Sequence, residues 1–143
     1  MISINPYLNF LGNTEEAMNF YRSVFGGEFS AFQRFNTVPG HEKMPEAEQK
    51  KIMYASLPMG KDDVLMATDA LESMGQTLTI GNNFYININS ESVEETDRLF
   101  KALSAGGKIE MPLNKTFWGA YCGMCSDKFG MQWIINYNLS LPS

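Results

Sequence analysis

The chain has 143 residues, of which 44% are hydrophobic and 19% charged, and it carries a net charge of −5. That length and balance fit one globular domain with a real core, and they exclude wholesale disorder. The 11 Lys and Arg are scattered through an acidic chain, which argues against nucleic acid; no apolar run approaches the ~20 residues of a membrane span; and with no basic-then-apolar leader a cytoplasmic protein is expected.

The first strand-like run is "YLNFLGN" from Tyr7, whose alternation sets Leu8 and Phe10 on one face and Tyr7 and Asn9 on the other. A helix follows in "TEEAMNFYRSVFGG", with Ala17, Phe20, Tyr21 and Val24 on one stripe, Asn13 and Glu16 as cap and capping box, and Gly26-Gly27 as the stop. Three strands are predicted next, over 28–35, 51–59 and 63–71, the last two joined by a Gly60-Lys61-Asp62 turn. Between them, 36–49 is polar and Pro-containing and reads as a long mobile loop or flap. Residues 72–82 read as a linker.

The same order then recurs. A strand "YININSE" starts at Tyr85, with Phe84, Ile86 and Ile88 forming an apolar row expected beneath a helix, while Tyr85, Asn87 and Asn89 point the other way. The helix "VEETDRLFKALSAGG" places Thr96, Leu99, Phe100 and Leu103 on its stripe, with Ser92 and Glu95 as cap and capping box and Gly106-Gly107 as the stop. Strands follow over 108–114, 119–126 and 131–138, with Asp127-Lys-Phe-Gly130 as a hairpin turn. Strand, cap, stripe and Gly-Gly stop match in register, which points to duplication. The expected fold is α+β: two tandem βαβββ modules, 1–71 and 83–143, in one domain, their curled mixed sheets around a cavity with a helix on the convex side of each. The two Tyr-Asn rows, at Tyr7, Asn9, Tyr85 and Asn87, are expected to face that shared cavity.

Cys122 and Cys125 form a C-x-x-C pair within "AYCGMCS". In a strand, residues three apart point to opposite faces with Cα atoms roughly 10 Å apart, too far for a disulfide or for converging metal ligands. No helix follows to lower a thiol pKa, so two free thiols are expected. Trp133 reads as core, and Trp118, before Gly119 at a strand entrance, as a residue of the cavity mouth. The single histidine, His41, falls in the polar loop and reads as a surface side chain.

"PYLNFLGNTEEAMNFYRSVFGGE" and "TFWGAYCGMCSDKFGMQWIINY" resemble the PhnB-like branch of the glyoxalase/bleomycin-resistance/dioxygenase superfamily, the vicinal oxygen chelate proteins. The resemblance implies paired βαβββ modules around a ligand cavity, a homodimer and, in metal-bearing members, ligands from the first and last strands of each module. Carried onto this chain, those places fall at Pro6 or Tyr7, near Met66, at Tyr85 or Ile86, and at Ile134 or Ile135. Pro, Ile and Met are unsuited to a divalent ion that takes imidazole or carboxylate, so no metal and no cofactor are expected. Asp69 is the one carboxylate near the expected region, and standing alone it reads more as a partner of a backbone amide or as the end of its strand than as a metal ligand.

Related sequences carry demethylubiquinone methyltransferase names, yet no G-x-G stands here to hold a methyl-donor nucleotide. The paired carboxylates Glu15-Glu16, Asp62-Asp63 and Glu94-Glu95 fall at helix starts or in a turn, where they complement helix dipoles or solvate a hairpin. The reading is a metal-free small-molecule-binding protein of sequestering or resistance type, with Tyr7, Asn9, Met66, Asp69, Tyr85, Asn87 and Trp118 as ligand-binding candidates. The alternative is a metal-dependent lyase or dioxygenase-like enzyme with unconventional ligands.

Overall fold

A computed structural model describes residues 2–139. Two compact units divide between Thr79 and Ile80. In the first, β1 (Tyr7–Phe10) leads through α1 (Thr14–Phe25) to β2 (Ala31–Arg34), β3 (Ile52–Met59) and β4 (Asp63–Asp69), with a short helical turn α2 (Glu46–Gln49) inserted before β3. In the second, β5 (Ile86–Asn89) leads through α3 (Val93–Ser104) to β6 (Lys108–Lys115), β7 (Ala120–Ser126) and β8 (Gln132–Asn138). Each unit is thus βαβββ, and each holds one four-stranded mixed sheet, ordered β1-β4-β3-β2 and β5-β8-β7-β6. The opening strand of each runs parallel to the closing strand, and the other pairings are antiparallel. The duplication read from the sequence is present down to strand order.

In the first unit α1 packs over β3 and β4. It buries Thr14, Ala17, Met18, Tyr21 and Val24 against Leu8, Phe10, Leu57, Leu65 and Ala67 of the sheet. Met18, rather than the expected Phe20, completes the buried stripe, because the contact face sits one residue round from the predicted one. In the second unit α3 packs over β6, β7 and β8 and buries Thr96, Leu99, Phe100 and Leu103, the four residues predicted. Beneath it lie Cys125, Trp133 and Ile135, all fully buried. Gly123 is where Phe100 comes down on the sheet: a Cβ there would stand 2.7 Å from the Phe100 ring, so this strand position takes a residue with no side chain.

The segment between β2 and β3 departs from expectation. It is built of 3-10 turns at Phe35–Thr37 and His41–Lys43 followed by α2, and it is tied down rather than left as an open loop. Glu48 is buried, accepting hydrogen bonds from the backbone N–H and the hydroxyl of Ser73. Arg34 donates to the Lys50 carbonyl at 2.9 Å, and the Lys51 carbonyl accepts from the Phe35 N–H at 3.0 Å. These are non-local anchors, so a composition reading of the segment could not show them.

Candidate functional site

In each unit one face of the sheet carries the helix and the other stands open. Side chains paired across a ladder share a face, so the register assigns each residue to one or the other. In the first sheet Tyr7 lies opposite Met66 and Asn9 opposite Thr68, with Ser56 beside Met66, all on the open face. Tyr54 joins them, its ring 6.1 Å from that of Tyr7. Tyr7 is half exposed, and its hydroxyl pKa is raised by burial and then by Tyr54. In the second sheet Asn87 lies opposite Ile134, Asn89 opposite Asn136, Asn136 opposite Cys122, and Ile134 opposite Met124. The Asn89 side-chain oxygen accepts from the amides of Asn87 at 3.2 Å and Asn136 at 3.3 Å, so three carboxamides make one network on that face. Tyr85 donates its hydroxyl to Glu110 of β6, which holds the tyrosine pKa up.

The structure therefore brings Tyr7, Asn9 and Met66 together on one face, and Tyr85 and Asn87 together on another. Tyr54, Ser56, Thr68, Cys122 and Asn136 belong with them and were missed. Applying to β3, β4, β7 and β8 the alternation used for the opening strands would have found them. Trp118 sits on neither face: it lies in the β6–β7 connection, 61% exposed, edge-on to Phe117 at 4.9 Å.

Asp69 does not line the open face. Its partner across the ladder is Phe10, which places it on the helix side, and it is buried. One carboxylate oxygen accepts from the Gly12 N–H at 2.9 Å, the Thr14 N–H at 3.1 Å and the Thr14 hydroxyl at 2.7 Å; the other accepts from the Ile52 N–H at 2.8 Å. It caps α1 from the closing strand, and a carboxylate so occupied has no lone pair directed at a ligand. It also borders an open pocket of about 590 Å³ on the helix side, with Arg34, Lys50 and Lys51 in its wall. Arg34 there is held by Glu15 in a two-pronged ion pair, with N–O distances of 2.7 and 3.1 Å, which lowers the Glu15 pKa. His41 stands apart on its 3-10 turn, its Nδ1 3.0 Å from the Val38 carbonyl.

Phe84 corrects the predicted apolar row. It precedes β5 and is 59% exposed, while Ile86 and Ile88 are half-buried on the helix side. The strand begins two residues later than its apolar alternation, so the first residue of the row escapes the helix.

Cys122 and Cys125 are both free. β7 pairs with β8 in unbroken register, so the two thiols point to opposite faces, Cys122 to the open side between Asn114 and Asn136, Cys125 under α3. Burial raises both, and for Cys125, with Asp127 and Glu110 nearby, the pKa is pushed up to about 11. These are thiols disfavoured as nucleophiles or metal ligands.

A metal of the vicinal-oxygen type does not fit these residues. The positions that would supply it present a phenol at Tyr7, a thioether at Met66 and alkyl chains at Ile134 and Ile135, and among the described residues no three His, Cys, Asp or Glu side chains converge. No helix among the described residues is long and apolar enough to cross a membrane.

Comparison with known proteins agrees with the fold. Residues 2–136 match the family described as 3-demethylubiquinone-9 3-methyltransferase. Protein YjdN of Escherichia coli K12 is 35% identical over 148 residues, covering 98% of each chain. A solved Pseudomonas aeruginosa structure shares 37% identity with a TM-score of 0.84, covering 96% of this chain and 98% of its own. A solved Bacillus cereus structure, described as a putative 3-demethylubiquinone-9 3-methyltransferase and PhnB protein, shares 26% with a TM-score of 0.76, covering 95% and 99%. More distant structures of the glyoxalase/bleomycin resistance/dioxygenase group share the fold. The chain belongs to the family described as 3-demethylubiquinone-9 3-methyltransferase, and its fold is that of the glyoxalase/bleomycin-resistance/dioxygenase structures.

Proposed function

We propose that this protein binds small organic molecules on the open face of one or other of its sheets, without a metal, in a sequestering or resistance-type role and as a homodimer. The observation that carries the reading is the furnishing of those faces. Tyr7 and Tyr54, their rings tilted to each other at 6.1 Å, lie beside Thr68 and Ser56 in one unit, and a linked set of carboxamides lines the other. Aromatic planes with a few placed hydrogen-bonding groups are what a small-molecule site is made of. The donor chemistry at the four family ligand places supports binding without a divalent ion.

A methyl-transfer reading has less to rest on. A nucleotide needs backbone amides presented by a glycine turn between a strand and a helix. The one glycine in such a place is Gly12, and the amides of Gly12 and Thr14 are taken by Asp69. The dimer reading rests on the edge strands β1 and β2 of one sheet and β5 and β6 of the other, each with a single neighbour in its sheet.

A thermal-shift screen of uncharged and charged aromatic compounds, run on protein purified without tag or chelator, tests the binding reading, because a ligand of the folded state raises the melting temperature by mass action. Saturating stabilisation with no metal added is expected. A requirement for about one bound metal ion per chain would replace this reading with the metal-dependent lyase or dioxygenase-like one. Light scattering at micromolar concentration tests the dimer, and a clean monomer would reject it.

A further inference from the structure

We infer that the ligand of the second sheet's open face is uncharged and planar, with an amide, lactam or hydroxyl edge that both donates and accepts hydrogen bonds. The inference rests on the small-molecule reading above and names the chemistry of that ligand.

Charged residues make up 19% of the chain, yet they are nearly absent from the open faces. In the first sheet the register puts Tyr7, Asn9, Tyr54, Ser56, Met66 and Thr68 there, with no Lys, Arg, Asp or Glu among them. Arg34, the one cation of that sheet, lies by the α1 side, bound to Glu15 and stacked on Phe32. In the second sheet two charged side chains come near the open face, both on the edge strand β6. Lys108 pairs with Ser126 at the end of the ladder, and Glu110, the extra residue at a register shift, is engaged by the Tyr85 hydroxyl. The middle of that face is Asn87, Asn89, Asn136, Cys122, Met124 and Ile134.

A ligand carboxylate or phosphate would meet no unengaged cation on this face, and an ammonium no unengaged carboxylate, so neither charge gains a partner for the water it gives up on contact. A carboxamide set behaves differently. Asn89 accepts from both neighbours, which leaves its own NH2 and the side-chain oxygens of Asn87 and Asn136 without a partner among the described residues. Donor and acceptor therefore stand side by side, the complement of an amide or lactam edge. The surface beside these amides is apolar, made by Ile134 and Met124 of the same sheet, which suits a flat ring.

The test is a two-dimensional NMR titration with three matched probes, quinoline-3-carboxamide, quinoline-3-carboxylate and quinolin-3-ylmethylammonium, at constant ionic strength. The carboxamide is expected to give saturable shifts at Asn87, Asn89 and Asn136 and to bind about tenfold or more tighter than either charged analogue, because only it pairs with both the donors and the acceptors of the amide set. Asn136→Asp, with Asn87→Asp as a second exposed variant, should lose carboxamide binding and gain affinity for the ammonium probe. If the carboxylate or the ammonium binds the same residues as tightly in the unaltered protein, the inference is overturned and the small-molecule reading survives. If no probe moves any open-face residue while shifts appear on the helix sides, both fall.

Discussion

The two units share one connection and start their helices in different ways. α3 is capped from next door: the Ser92 hydroxyl accepts from the Glu95 N–H at 3.0 Å, and the Glu95 carboxylate reaches back to the Glu91 N–H at 2.9 Å. α1 is capped from the far end of its unit. The Asn13 side chain makes no capping bond, and Asp69, at the end of β4, takes the amides of Gly12, Thr14 and Ile52. One carboxylate thereby fixes β1, α1, β3 and β4 to each other. A duplicated topology does not require duplicated interactions; each copy needs only some acceptor at its first turn.

That contrast sets the size of several effects. Asp69→Ala strands three backbone N–H groups in a buried place and should cost ~3–5 kcal/mol in urea unfolding, with Asp69→Asn recovering part of it. Ser92→Ala loses one local cap on a helix end that water reaches, and should cost ~1 kcal/mol. Equal losses at the two positions would break the comparison. Between these in size is a pH effect confined to the second unit. Cys125 keeps its proton up to about pH 11 when folded and gives it up about two pH units earlier when unfolded. Its contribution is whole below the unfolded value and is lost as pH rises through the folded one, so stability should fall by ~2–3 kcal/mol between pH 9 and pH 11. Cys125→Ala should flatten that fall, and an unchanged slope would contradict the burial of this thiol under α3. The smallest effect is at Phe84: exposed ahead of β5, its replacement by Ala should move stability by no more than ~0.5 kcal/mol. A loss of several kcal/mol there would restore the predicted apolar row beneath α3.

Local signals carried much of this into the sequence. The period of two separated Leu8 and Phe10 from Tyr7 and Asn9, and Cys122 from Cys125, because unbroken strands keep their alternation. Trp133 reads as core, and its indole N–H indeed ends on the buried Asp127 at 2.8 Å. What was hidden depends on partners far along the chain. The Asp69 bonds span up to 57 residues, so Asn13 looked like the cap; that Asp69 binds backbone amides was legible, but not that those amides open α1. Glu48 reaches Ser73 across 25 residues, which is why 36–49 read as open chain. The open face was half legible: its opening strands stood out as Tyr-Asn pairs, while Tyr54, Thr68 and Asn136 sit in strands whose apolar neighbours masked the alternation.

The central claim is that the open faces bind the ligand and the helix faces hold the fold. Its most direct test takes the strongest stabiliser from the thermal-shift screen and measures its affinity by calorimetry for Tyr85→Ala and Asn87→Ala, each alongside its own melting temperature. The account predicts affinity about tenfold or more weaker in at least one of the two, with melting temperatures within ~2 °C of the unaltered protein. Affinity unchanged in both, or lost only in step with the melting temperature, would contradict it.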